Sequence, residues 1–169
     1  MRRIIAFLFL LAAPLWSQTS QSIDASETIV VAPMLTLSKS QDITWGTHFA
    51  QEGDVFSSTT NYAAWLGQTD VGNHLSVVVS APLALNKQGG TGSVPVSYGA
   101  TSAEITNDII VNRFNPATGI PNFGPVGSPG TFTITLGKGA TAADQVTVHL
   151  SNAQRGTYSG LITLTVTVL

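Results

Sequence analysis

The sequence contains no cysteine. No disulfide framework can hold it, and it lacks the thiol that a lipid anchor needs just after an export signal. Such a chain has to be held together by packing and strand pairing. Charge is the second shortage. Asp, Glu, Lys and Arg make up 9 % of the 169 residues, against roughly 25 % in typical soluble domains. The seven basic residues, Arg2 and Arg3 apart, stand singly as Lys39, Lys87, Arg113, Lys138 and Arg155. Without a basic patch there is nothing to neutralise a phosphate backbone, which argues against nucleic-acid binding. Long apolar runs are missing too. The longest, Ile4–Trp16, has 13 residues, short of the roughly 20 that span a bilayer as a helix.

Groups for catalysis are equally sparse. His48, His74 and His149 are far apart in sequence, and no two show the spacing of metal ligands. No G-x-S-x-G elbow is present. Ser159 in GTYSG reads as a turn serine, and Glu52 and Asp54 in QEGDV read as solvated loop acids. GGTG at 89–92 and GKG at 137–139 lack the strand–loop–helix setting of a phosphate cradle. With no positioned base or nucleophile, the sequence predicts a protein that is not an enzyme and carries no cofactor and no metal.

What the chain does have is apolar residues, 43 % of the total, mixed with Thr, Ser and Gly. That mixture suits strands and turns. At the start, Arg2 and Arg3 precede the short apolar run, and SQTSQS follows it. This reads as a signal peptide over 1–17, so the mature protein is expected to be secreted, in the periplasm or at a bacterial cell surface, with no stable membrane span. Without the signal, five basic residues face nine acids, a formal charge of −4. Residues 18–32 then read as a polar N-terminal arm, and 33–169 as one domain.

Within that domain, apolar and polar residues alternate in short runs. Leu75, Val77 and Val79 alternate with Ser76, Val78 and Ser80; Phe132, Ile134 and Leu136 alternate with threonines; Val146, Val148 and Leu150 share a face. Ile43 and Trp45 share a face before Gly46, and Val55–Phe56 is a short strand candidate. Tyr62, Ala64 and Leu66 are expected on one face of a strand, with Trp65 opposite. ITNDIIVNRF at 105–114 reads as one strand. SVPVSYG at 93–99 reads as an edge because of Pro95. FNPATGIPNFGPVGSPG at 114–130, with four prolines and four glycines, reads as irregular. The clearest strand is the last, where Ile162, Leu164, Val166 and Val168 alternate with Thr163, Thr165 and Thr167. In all, about eight to ten short strands and no helical periodicity predict an all-β antiparallel sandwich or barrel. Of the aromatics, Trp45 and Trp65 are expected in the core, and Tyr158 as a corner tyrosine whose hydroxyl bonds to backbone.

Two stretches carry a resemblance. ETIVVAPMLTLSKSQDITWGTH at 27–48 resembles the opening of small secreted bacterial domains related to spore coat protein U and to chaperone–usher pilin subunits. GTFTITLGKGA and LSNAQRGTYSGLITLTVTV, at 130–140 and 150–168, resemble their closing hairpin, in which a G-x-Y-x-G turn feeds a terminal alternating strand. Gly156 stands fourteenth from the end, as in pilins, whereas the penultimate Val168 is not aromatic and the pilin disulfide is missing. The resemblance implies an immunoglobulin-like sandwich completed by a donated strand. It implies a structural subunit of a surface fibre, pilus or coat, with copies of itself or related subunits and a periplasmic chaperone as partners. The candidate donor is 18–32, with Ile23, Ala25, Ile29 and Val31 turned inward and Glu27 interrupting them. Gly156, Ile162, Leu164, Val166 and Val168 are the candidate receiving residues. The alternative is a monomeric adhesive or carbohydrate-binding module that offers Trp45, Tyr62 and Trp65 to a sugar.

Overall fold

The computed structural model of the protein describes residues 34–49, 52–108 and 110–169. The alternating runs become thirteen strands, and every pairing between them is antiparallel. One sheet has the order β1 (Leu35–Gln41), β3 (Ala63–Thr69), β10 (Thr131–Leu136), β7 (Ala103–Asn107) and β8 (Ile110–Phe114). A second has the order β12 (Tyr158–Ser159), β5 (Ala84–Lys87), β6 (Ser93–Tyr98), β11 (Val146–His149) and β2 (Asp54–Phe56). A third sets β4 (Leu75–Ser80) between β13 (Thr163–Val168) and β9 (Ile120–Phe123).

The second and third sheets belong to one layer. Strands β4 and β5 follow each other along the chain, and β13 and β12 run back beside them. The layer breaks where Pro82 removes a backbone donor and Gly160 lies against it; a Cβ at Gly160 would stand 2.7 Å from Pro82 Cγ. The two layers pack as an antiparallel sandwich around one apolar core. Its most buried large side chains are Phe123, Leu75, Ile105, Ile134, Leu136 and Val77, drawn from both layers. Phe132 is seated over Gly67, its direct cross-strand partner, where any side chain would collide with the ring.

Several expectations from the sequence are corrected. Residues 105–114 form a hairpin, because the chain reverses at Asp108 with φ of 41°. Asp tolerates that left-handed conformation better than most residues. Asn107 secures the hairpin: its side-chain amide donates to the Thr131 carbonyl, and its Oδ1 accepts from Gly127 N at 2.8 Å. The 114–130 segment contains β9, paired to β4 through Phe123↔Leu75 and Ile120↔Val77 with an irregularity between them. Pro121 falls within that irregularity and so costs no regular ladder bond. Strand β6 is interior, since Pro95 ends its pairing with β5 and the β11 pairing begins at Val96. In β3 the two faces separate as the sequence suggested, with Trp65 opposite Ala64 and Leu66. Ala63, Trp65, Gly67 and Thr69 turn inward, and Leu66 turns out with 49 % of its surface exposed.

Candidate functional site

The site is a cleft along one side of the sandwich, and its first wall is β1. Residues directly opposite one another in an antiparallel pair share a face. Leu35 pairs with Thr69, Leu37 with Gly67 and Lys39 with Trp65, so these three side chains belong to the inward row. Nothing among the described residues fully covers them. Leu37 points inward yet is 41 % exposed, and Lys39 is exposed as well. After a bulge between Lys39 and Gln41, Ile43 and Trp45 continue the apolar wall, each half-buried against the core.

The second wall is the 158–162 segment, which leads into β13. Val166 is buried, while Ile162, Leu164 and Val168 are half-buried against the core, and the threonines between them face solvent. Strand β13 pairs with β4 on one side only, and β1 pairs with β3 on one side only, among the described residues. Strand β12 likewise pairs with β5 alone among the described residues, so the two strands that line the cleft, β1 and β12, each carry an unused row of backbone donors and acceptors.

Between the walls lie two lobes of ≈ 310 and ≈ 1000 Å³ that share Ile43, Trp45, Leu85 and Tyr158. The smaller lobe sets Lys39 and Trp65 across from Tyr158–Ile162. The larger runs on past Trp45 and Phe49 toward Gly156 and Leu150. Tyr158 is the hinge between them. Its hydroxyl donates to the Gln154 carbonyl at 2.8 Å, the short upstream bond of a corner tyrosine, as the sequence predicted. Gly156 sits at the rim against the Lys87 side chain.

The charges at the cleft are few. Lys39 Nζ bonds Asp42 Oδ2 at 2.8 Å on an exposed surface. His48 sits at the end of the larger lobe. Its Nδ1 lies 2.6 Å from Glu52 Oε2 and its Nε2 meets the Trp45 carbonyl, so both ring nitrogens face acceptors. The Glu52 bond chiefly raises the His48 pKa above its ordinary value, and the same bond chiefly lowers that of Glu52. Away from the cleft, His149 bonds Asp54 Oδ1 at 2.8 Å and Ser97 Oγ at 2.9 Å, tying β2, β11 and β6 together on the outer face. Glu52 and Asp54 are exposed, as expected of solvated acids, and each also bonds a histidine. Among the described residues no three His, Cys, Asp or Glu side chains gather as a metal site requires.

No protein-family model matches the sequence, and no curated protein matches it. Among solved structures, a match is the chaperone–tip adhesion subunit pre-assembly complex of the archaic chaperone–usher Csu pili of Acinetobacter baumannii. The TM-score is 0.41 and the identity 14 % over 80 % of this chain. The chain spans 40 % of the length of that one.

Of the candidate receiving residues, Ile162 lines the smaller lobe and Gly156 the larger, whereas Leu164, Val166 and Val168 line neither and pack against the core along β13. The donor candidates Ile23, Ala25, Ile29 and Val31 lie outside the described residues. Trp45 and Trp65 line the cleft rather than an outer platform, and the Tyr62 ring has Lys138 Nζ over it, 5.4 Å from its centre. Sequence reasoning missed the opposite wall. Leu35, Leu37 and Lys39 were legible as alternating residues, but not as a row left uncovered. It also missed a polar anchor at the far edge of the first sheet. There Arg113 bridges Glu104 at 2.9 Å and Asp144 at 2.8 Å, and Asp144 accepts from Thr101 and Thr141.

Proposed function

We propose that the protein is a secreted, non-enzymatic structural subunit of a surface fibre, pilus or coat, and that copies assemble by β-strand exchange. One observation carries the reading. An apolar cleft lies between β1 and the 158–162 segment that contains β12, and β1 and β12 each pair on one side only among the described residues. A strand placed there would gain main-chain bonds from both borders and bury alternate side chains between the layers. The arm 18–32 is the occupant the sequence supplies, donated by the next copy. Before assembly the exposed cleft is an association hazard, which a periplasmic chaperone would cover.

Electrophoresis of the mature protein in SDS, unheated and boiled side by side, tests this. Strand-complemented multimers give a ladder in the cold that collapses to one band on boiling. A chain lacking 18–32 is expected to keep its fold and lose the ladder. A monomer whose fold fails without 18–32 would instead mean that the arm completes its own sandwich.

A further inference from the structure

We propose that Ser97 is a nucleophile that takes one acyl group from an activated carboxylic ester, with His149 as its base and Asp54 as the residue that positions His149. The site lies on the outer face of the second sheet, outside both lobes of the cleft, and does not depend on strand exchange. The three residues are far apart in the chain, and the strand order β6, β11, β2 makes them neighbours. His149 on β11 is directly opposite Asp54 on β2. Ser97 on β6 is opposite Thr147, two residues before His149 on the same face, so Ser97 and His149 are diagonal neighbours. Val96 and Val148 turn into the core beside them, which leaves Ser97, His149 and Asp54 on the outside.

The bonds run in the order that nucleophilic activation requires. Asp54 Oδ1 lies 2.8 Å from His149 Nδ1, and Ser97 Oγ lies 2.9 Å from His149 Nε2. An ionised carboxylate can only accept, so it holds the imidazole proton on Nδ1. Nε2 then accepts from the Ser97 hydroxyl. Attack forms a bond from Oγ to the ester carbonyl carbon as the Oγ proton moves to Nε2. The ester C–O bond then breaks, and the leaving oxygen takes that proton from Nε2. The products are an ester on Ser97 and a free alcohol, with His149 neutral again. All three side chains are reachable. Ser97 is exposed, and the side chains of His149 and Asp54 are 36 % and 44 % exposed. The step ends at the ester. Strand N–H groups lie in the plane of the sheet, so the ladder aims no oxyanion donor above this face, and one such donor is worth about 10²–10³ in rate.

The test treats the full mature chain with p-nitrophenyl acetate and follows acetyl groups on individual serines by peptide mass spectrometry. Ser93 is the standard inside the same molecule. It is exposed on the same face of the same strand, and the side-chain bonds of His48, His74 and His149 go elsewhere. Ser97 is expected to be acetylated about a hundredfold faster than Ser93, the scale of general-base assistance. In H149Q, with an unchanged circular dichroism spectrum, Ser97 should fall to the rate of Ser93. D54N should lower the Ser97 rate by roughly tenfold or more without changing Ser93, and D54E should restore part of it. Equal rates at Ser97 and Ser93 in the wild type, or a ratio that H149Q leaves unchanged, would overturn the nucleophile. A ratio unchanged in D54N would overturn the positioning role of Asp54. With S97A as background, release of more than one nitrophenolate per chain would overturn the limit of a single acyl group.

Discussion

At the scale of single residues, the molecule is held by a few polar side chains that a low-charge sequence gave little warning of. Ser57 is almost fully buried, donating to the Gly137 carbonyl at 2.7 Å and accepting from Val146 N at 2.8 Å, so one hydroxyl joins three segments. Asp144 plays a similar part beside Arg113. Hydroxyl bonds from Thr141 and Thr101, and then the Arg113 guanidinium, hold its pKa below the ordinary 3.8. The sign of the pH effect follows from that direction. The folded value lies below the unfolded one, so the contribution is present above about pH 4 and disappears as the pH falls through the folded pKa. In urea titrations the wild type is expected to exceed D144N in stability at neutral pH, and the gap should close as the solution is acidified. A gap that stays constant down to pH 2, well below about 3.8, would mean that the charge of Asp144 contributes nothing. None of this network was legible in the sequence. Its members are distant in the chain and ordinary in type, and only the β7–β8 hairpin and the 137–145 loop bring them together.

At the scale of elements, legibility followed the strength of alternation. Strand β13 was read correctly because its threonines and aliphatics alternate without a break, and the paired register Leu164↔Val79, Val166↔Val77 and Val168↔Leu75 puts those aliphatics on the core side. In strand β3 the alternation separated Trp65 from Ala64 and Leu66, as the structure has it, but Phe132 over Gly67 is a contact that only the pairing with β10 discloses. Strand β9 was missed because turn residues outnumber the apolar ones around it, yet Phe123 is completely buried. The faces of β13 make a direct prediction. V166A removes aliphatic volume from the core and should cost roughly 1.5–3 kcal/mol in urea unfolding, the scale for burying a side chain of that size. T165A, on the outer face, should change stability by less than about 0.5 kcal/mol. The opposite ranking would mean that β13 is slipped by one residue against β4, because a one-residue slip exchanges the two faces of a strand.

At the scale of the whole molecule, the described residues leave a cleft between the layers at β1 and 158–162, and the aromatic residues make that cleft observable. The chain has three tryptophans, Trp16, Trp45 and Trp65. Trp16 falls within the expected signal peptide, so a mature chain keeps the two that line the cleft. Tryptophan emission then reports on the cleft with no added label. A chain lacking 18–32 should emit at longer wavelength than the full mature chain and be quenched more readily by acrylamide, because water reaches both indoles. Adding a peptide of residues 18–32 should reverse both changes, since a strand laid in the cleft between β1 and 158–162 covers the indoles with aliphatic side chains. If deletion leaves emission and quenching unchanged, the arm does not occupy this cleft, whatever the gels show. If the full chain gives the short-wavelength emission while remaining a monomer at every concentration, the arm closes the cleft of its own chain. The concentration dependence of one fluorescence signal thus separates a subunit that needs its neighbour from a module that completes itself.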